Sequence, residues 1–463
     1  DRAAEIMRLY HEDRAAFVVY NLTDAALVLE IVESRSLVKL AVRLSQVTGL
    51  PLDRTGASIA SFDFLYLGEM HRRGMAGPTV DPGQATAPTQ GGFVLASRPG
   101  IYDFAVVLDY RSLYPSLIRT LRLDPLALVA GAAEAATEEA PIRAPNGALF
   151  RRCGGILPEL LDRLFPLREA AIASGDTLRA TAIKILMNSF YGVLATPRCR
   201  FYSPPTANAI TGFGQETLRW TCEAVEQLGY GVLYGDTDSI FVETRAAGAA
   251  EAARLGQELS EKLTRALAER LRQEHGVESR LLLRFDRLYH KLLIPALRGS
   301  TEGSRKRYAG LVRRGDEEEL VFVGLETVRR DWTDLARTFQ REMIARVFRQ
   351  EPLEEFLRGY LASLRRGDFD PLLVYRRALR KPEEAYTRTT PPHVQAARRL
   401  SQPGRIVRYV VTTAGPEPEE AREHPIDREH YVEKQIRPIA ESILSLVGLE
   451  WDTVAGGQGR LPF

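Results

Sequence analysis

The stretch LYGDTDSIFVET, residues 233–244, carries apolar residues into a tight turn that holds Asp236 and Asp238 one residue apart, then carries apolar residues out again. Two carboxylates that close repel each other, so the turn is tolerable only if water or positive charge offsets them. A solvated hairpin turn is one reading. A third acid favours another: YDFAVVLDY, residues 102–110, is an apolar run of strand length that closes on Asp109. Carboxylates held at strand ends by rigid backbone can share two Mg²⁺ ions about 3.5 to 4 Å apart, which activate an attacking oxygen and stabilise the leaving one. Phosphoryl transfer needs that arrangement, and divalent cations also remove the repulsion.

At 463 residues about three domains are expected, and periodicity around these runs predicts both helices and strands. Residues 1–50 carry helical spacing through Leu27, Val28, Ile31 and Val32, ending near Gly49 and Pro51. Residues 74–92, rich in Gly, Pro and Thr, read as a loop. Helical patterns return in SLYPSLIRTL after Asp109, and from Leu157 to Ala195 as two antiparallel helices broken at residues 174–176. A long charged helix is expected at 249–275, strands at 281–284 and 319–324, and mostly helices from 328 onward, with TTPPHV as an interruption.

Composition excludes several classes. Cys153, Cys199 and Cys222 lie far apart with no CxxC pair, which argues against a disulfide framework, a zinc site or an iron–sulfur site. Read as plain thiols, the cysteines imply a cytoplasmic setting. No run of about 18 uncharged apolar residues and no basic-then-apolar leader is found, so neither a membrane span nor a signal peptide is expected. The chain begins at Asp1 with a helical pattern already under way at Ile6 and Leu9, as if entered midway. With 62 basic and 60 acidic residues the net charge is +2, so the distribution of charge says more than its total. Between Tyr375 and Arg408 nine basic residues, among them Arg376, Arg377, Arg380, Lys381 and Arg398, face only Glu383 and Glu384. A stripe like that suits phosphate neutralisation along duplex DNA, although a solvated basic face would look the same.

In KILMNSFYG, Lys184, Asn188 and Tyr191 stand at i, i+4 and i+7, placing a cation, an amide and an aromatic ring on one helical face. Arg168 lies on the preceding helix, so two facing helices can present Arg168 and Lys184 to one triphosphate. At this point a family resemblance emerges. DYRSLYPS (109–116), KILMNSFYG (184–192) and YGDTDS (234–239) resemble the three polymerase motifs of family B DNA polymerases, in the family's order. KRYAG (306–310) is similar to the primer-gripping motif, and GLETVRRDW (324–332), PPHVQAAR (391–398) and EHYVEKQIRPIAESIL (429–444) extend the resemblance to the bacterial DNA polymerase II subgroup.

The resemblance implies an α+β, multidomain right-hand architecture, with an antiparallel-sheet palm, helical fingers and a mostly helical thumb, and a role for each matching residue. Asp109 and Asp238 would be the principal ligands of two Mg²⁺ ions, for which Mn²⁺ can substitute, with Asp236 assisting and the Tyr110 carbonyl completing the set. Ser112 and Leu113 would offer backbone amides to the triphosphate, and Tyr114 would lie under the incoming sugar as a steric gate against a 2′-hydroxyl. Arg168, Lys184 and Asn188 would grip the triphosphate, with Tyr191 and Gly192 near the nascent base pair. Gly91, Gly92 and Thr237 would lie against DNA, and Lys306 and Tyr308 would position the primer end. The implied domains are a helical remnant of an exonuclease domain (1–54), a palm (55–154 and 197–327), fingers (155–196) and a thumb with a tail (328–463). Implied partners are primed template DNA and deoxynucleoside triphosphates, bound by a monomer in the bacterial cytoplasm at the nucleoid.

Two departures stand out. Family members usually carry a lysine four residues after the fingers arginine, and here that position is Ile172. YNLTD (20–24) resembles the last proofreading motif through Tyr20 and Asp24, yet no D-x-E precedes it, so no proofreading is expected. The final QGRLPF resembles a sliding-clamp docking peptide, with Gln458, Leu461 and Phe463 as the contacts. The expected activity is template-directed DNA synthesis. A DNA-binding remnant without synthesis and a two-metal nuclease or phosphatase are the rivals.

Overall fold

The computed structural model describes residues 2–80, 83, 86–129, 140–296, 303–315, 317–379, 390–400 and 404–455. The chain divides into two compact units, one of Asp1–Thr23, Ala96–Ala105 and Leu288–Phe463, the other of Asp24–Leu95 and Val106–Arg287. Its described strands are β1 (Gly100–Tyr110), a short hairpin of β2 (Ile142–Arg143) and β3 (Leu149–Phe150), β4 (Gly231–Asp236), β5 (Ser239–Glu243), β6 (Leu283–Ile294), β7 (Tyr308–Arg314), β8 (Glu317–Val323), β9 (Tyr375–Ala378), β10 (Ile406–Thr412) and β11 (Gly415–Pro418). The pairings β2–β3, β4–β5, β6–β7, β7–β8, β9–β10 and β10–β11 are all antiparallel.

In the unit of Asp24–Leu95 and Val106–Arg287 the strand order is β4-β5-β1-β6. Residues Val106–Leu108 of β1 are buried, as expected of a strand covered on both faces. Strands β4 and β5 form a hairpin in which Asp236 pairs with Ser239, leaving Thr237 and Asp238 as the two-residue turn. Thr237 takes a left-handed φ of 57°, which such turns require. The unit's helices include Leu113–Leu121, Ile156–Ala173, Thr177–Leu194, Pro204–Gln227 and Ala249–His275, of which Pro204–Gln227 packs on β4 and β5 while Ile156–Ala173 and Thr177–Leu194 pack on each other.

Local chemistry sets where these helices begin. The Asp176 carboxylate accepts from the Arg179 amide at 3.0 Å and starts Thr177–Leu194 two residues after the Ser174 cap of its predecessor. Asp124 does more. Wholly buried, it accepts from the Tyr66 hydroxyl at 2.7 Å, the Leu126 amide at 2.7 Å and the Leu157 amide at 2.6 Å. One side chain thus pins the first turn of Ile156–Ala173 to the aromatic cluster of Phe62, Tyr66, Phe190 and Phe201.

The other unit contains strand order β6-β7-β8 and a three-stranded sheet β11-β10-β9. Its core gathers Phe339, Leu357, Tyr360, Tyr431 and Ile439 from several helices. Beneath the GLETVRRDW segment lies a buried polar knot: Glu326 pairs with Arg307 and accepts from Gln340 at 2.7 Å, while Gln340 accepts from the Thr327 amide and hydroxyl.

Several sequence expectations are met, among them both broken helices and the charged helix, observed as Ala249–His275. Others need correction. Strand β6 continues to Ile294, far past 284, because Arg284, Asp286, Arg287 and Lys291 interrupt the apolar run that marked it. Strand β7 was not anticipated, nor was the helix Pro204–Gln227, whose Gly, Thr and Asn residues hide its periodicity while Ser203 and two prolines start it. Beyond 328 helices dominate as expected, with β9, β10 and β11 lying among them. One described helix, Arg14–Ser34, is long and apolar enough by length and composition to cross a membrane, although Asp24 and Glu30 leave it without an uncharged run of 18 residues. Asp24, which ended the uncharged run in the sequence, is exposed on it.

Glu417 on β11 has no exposed surface. Burial works against its ionisation. The amides of Glu423 and His424, the His424 ring and the Arg399 guanidinium nevertheless hold its carboxyl down to about 2, from an ordinary value of 4.5. A depressed folded value contributes stability that is present above pH 4.5 and lost as pH falls toward 2. Glu417→Gln is therefore expected to lower the melting temperature at pH 7, with the gap from wild type closing on acidification through that window. Calorimetry across pH 2.5 to about 7 checks this, and a gap independent of pH would contradict it.

Candidate active site

Asp109 stands at the penultimate position of β1, and Asp236 and Asp238 flank Thr237 in the β4–β5 turn. A backbone bond fixes their relation: the Tyr110 amide donates to the Asp238 carbonyl at 2.8 Å. The Asp109 carboxyl is pushed up to about 7, first by burial, then by the charges of Asp238 and Asp286, against the pull of Lys184 and Arg287. Asp238 is also raised, again mainly by burial, with Asp236 adding and Lys184 opposing. Asp109 and Asp238 therefore share one field. Asp236 differs, since its carboxylate accepts from the Tyr234 hydroxyl at 3.4 Å and the Thr237 hydroxyl at 3.0 Å.

Among the described residues no group of three or more His, Cys, Asp or Glu side chains is placed to hold a metal ion. The arrangement is a coupled pair, not a triad. The pair still fits a divalent cation: two hard oxygen donors, both crowded by like charge and half withdrawn from water, with Lys184 as a shared counter-charge.

The neighbouring side chains fill the rest of the site. Ser112, in a left-handed conformation with φ 52°, caps the helix Leu113–Leu121, and Leu113 is buried. The rings of Tyr114 and Tyr191 lie 4.9 Å apart, and a Cβ at Gly214 would come within 3.0 Å of the Tyr114 ring. Burial first, then Tyr191, Asp238 and Asp236, push the Tyr114 hydroxyl up to about 12, so it is neutral at physiological pH. Lys184 and Asn188 are exposed on the face of Thr177–Leu194 that also carries Tyr191, whose hydroxyl donates to the Gln90 carbonyl at 3.1 Å. Arg168 Nη1 lies 3.5 Å from the Ser112 hydroxyl, and its Nε is buried without a hydrogen-bond partner. Arg111 pairs with Glu169, and Arg284 lies close enough to lower both Arg111 and Arg168, after burial as the main cause.

Several anticipated residues lie outside the unit of Asp24–Leu95 and Val106–Arg287. Lys306 and Tyr308 belong to the other unit, at the start of β7, where Lys306 takes a φ of 55°. Arg376 and Arg377 lie on β9 in that unit and pair at 3.7 Å with Asp334 and Asp331, and opposite Arg376 on β10 Arg408 is held by Glu419. Part of the basic stripe is thus neutralised within the chain. Arg398 is exposed. Arg380, Lys381, Gln458, Leu461 and Phe463 lie outside the described residues. Tyr20 and Asp24 are one turn apart on Arg14–Ser34. Sequence reasoning missed Asp286, Arg284 and Arg111; the signal for Asp286 was the one used for Asp109, an acid on an apolar strand, diluted by its charged neighbours.

The sequence pattern of DNA polymerase family B matches residues 54–446. The chain belongs to that family. Among family B relatives, DNA polymerase II of Escherichia coli (strain K12) is 41% identical over 471 residues, covering 99% of this chain and 60% of that protein. DNA polymerase 2 of Aeropyrum pernix is 30% identical, covering 89% of this chain and 52% of that one. The solved structure of the family B DNA polymerase from the hyperthermophilic archaeon Pyrobaculum calidifontis superposes with a TM-score of 0.64 at 25% identity, over 97% of this chain and 57% of that one. The chain therefore spans 52% to 60% of the length of these three relatives.

Gly92 has a structural reason to be glycine. A Cβ there would lie 2.5 Å from the Thr237 hydroxyl oxygen and 3.2 Å from its Cβ, in a segment stitched to the turn by Thr237 N to Phe93 O at 2.8 Å. At Gly91 the same atom meets nothing within 4 Å. Gly92→Ala is expected to cost about 1–3 kcal/mol through overpacking and to displace the aspartate turn, while Gly91→Ala is near neutral. Denaturant melts of both variants check this, and equal effects would contradict it.

Proposed function

We propose that the chain is a template-directed DNA polymerase, in which the 3′-oxygen of a primer attacks the α-phosphate of a deoxynucleoside triphosphate and pyrophosphate leaves. The coupling of Asp109 to Asp238 across the Tyr110–Asp238 backbone bond carries this reading, because it sets two acids at strand ends beside the cationic face of Thr177–Leu194. Asp109 and Asp238 would hold Mg²⁺, or Mn²⁺ in its place, with Asp236 orienting the turn and the Tyr110 carbonyl alongside. Bound there, two ions would supply Lewis-acid activation of the attacking oxygen and charge relief on the leaving group.

The chain's own groups do the rest. Lys184, Arg168 and Asn188 bind and orient the triphosphate as charge-assisted donors, with the Ser112 and Leu113 amides beside it. Tyr114, wedged between Tyr191 and Gly214, takes the underside of the sugar and leaves no room for a 2′-hydroxyl. Gly192 and Tyr191 would border the base pair, with Gly91, Gly92 and Thr237 toward the template and Lys306 and Tyr308 toward the primer. On this reading residues 55–154 and 197–327 are palm, 155–196 fingers and 328–463 thumb, with 1–54 leading in. Arg376, Arg377 and Arg398 would face duplex phosphates, the first two exchanging Asp334 and Asp331 for DNA. A monomer at the bacterial nucleoid, docking a sliding clamp through Gln458, Leu461 and Phe463, completes the proposal.

Two measurements test it. With Mg²⁺, primed template and four deoxynucleoside triphosphates, the purified chain should extend the primer and Asp109→Asn should lose at least about a hundredfold in rate, a loss of roughly 3 kcal/mol in transition-state stabilisation. Gel-shift binding without extension would favour the DNA-binding remnant instead. Tyr114→Ala should raise ribonucleotide incorporation at least about tenfold relative to deoxynucleotide, a change of roughly 1.4 kcal/mol in discrimination. Unchanged discrimination would remove the gate assignment.

A further inference from the structure

Strand β6 alternates its side chains between two environments. Leu283 is buried and the Phe285 ring packs where a Cβ of Gly256 would be, on the face toward the helix Ala249–His275. Leu282, Arg284 and Asp286 take the opposite face and are exposed. That second face is the one that carries the carboxylates, since Asp286 acts electrostatically on Asp109. The register is fixed by the Arg111 amide, which donates to the Leu282 carbonyl at 2.9 Å.

This placement brings a third guanidinium to the Arg111 and Arg168 neighbourhood, and Arg284 lies within electrostatic reach of both. Their partners are unequal. Arg111 is paired with Glu169, and Arg168 has only the long contact to Ser112. Among the described residues Arg284 has no hydrogen-bond or ion-pair partner. Three like charges drawn together, of which only Arg111 has a carboxylate partner, are costly unless an anion joins them. One turn beyond Arg168, on the same side of its helix, Ile172 presents an apolar side chain that is 51% exposed, where it offers an anion nothing.

We infer that Arg284 is a further substrate-binding residue, whose guanidinium, juxtaposed with Arg168 and Arg111 on the carboxylate face of β6, holds the terminal phosphates of the incoming deoxynucleoside triphosphate. Its fork of N–H donors matches phosphate oxygens, and it supplies from the sheet the cation that position 172 does not supply from the helix. The inference rests on the polymerase reading, and the test separates the two.

Single-nucleotide incorporation is measured for wild type, Arg284→Ala, Arg284→Lys and the double variant Arg284→Ala with Ile172→Lys. Primed-template affinity is followed by anisotropy, and tripolyphosphate binding by calorimetry, which needs no turnover. Arg284→Ala should raise KM for the triphosphate at least about tenfold, the size of one charge-assisted contact. It should weaken pyrophosphate inhibition and tripolyphosphate affinity in parallel and leave DNA affinity within about twofold. Arg284→Lys and the added Ile172→Lys should each restore part of the loss, which a merely structural role would not allow. KM and tripolyphosphate affinity equal to wild type, or a loss confined to DNA affinity, would overturn the assignment of Arg284. A wild-type chain that extends no primer would overturn the polymerase reading, and the calorimetric arm would still report on the anion site.

Discussion

Repulsion between Asp109 and Asp238 is the constraint around which the site is organised. Neither acid can relax away, because Asp109 stands near the end of β1, Asp238 lies in the tight β4–β5 turn, and the Tyr110 amide is bonded to the Asp238 carbonyl. Burial raises both carboxyls and each answers to Lys184. A fold does not normally retain that tension at a surface turn unless a ligand relieves it, so strain here is an argument for function. Gly92 belongs to the same construction: its missing side chain lets the preceding segment lie against Thr237 and hold the turn in place.

Cationic groups converge on the same region from three directions. Lys184 comes from one helix, Arg168 from its partner and Arg284 from the sheet. The two helices are placed by acids used as caps, Asp176 between them and Asp124 at the first turn of Ile156–Ala173. Because Asp124 is also held by Tyr66, the position of Arg168 depends on the aromatic cluster around that ring. Packing, capping and electrostatics thus fix the cations that the proposed function assigns to a polyphosphate.

Most of this was legible in the sequence wherever local pattern and tertiary role agree. Asp109 and the aspartate turn follow apolar runs, and Lys184, Asn188 and Tyr191 share a helical face, so periodicity found them. It failed where function interrupts the pattern. Arg284 and Asp286 break the apolar alternation of β6, and the same side chains that hid the strand are those facing the site. Strand β11 carries Pro416 and Pro418, which argue against a strand on local grounds, yet it is the outer strand of its sheet, where proline is tolerated. The basic stripe was visible as composition, but its pairing with Asp331, Asp334 and Glu419 depends on segments distant in sequence, which no window along the chain reveals.

The direct test of the central claim is Mn²⁺ binding followed by electron paramagnetic resonance in the presence of primed template and a deoxynucleoside triphosphate. Wild type should bind Mn²⁺ in protein-dependent sites, and Asp109→Asn and Asp238→Asn should each weaken that binding at least about tenfold, with Asp236→Asn weakening it less. Mn²⁺ affinity indifferent to Asp109 and Asp238 would contradict the account.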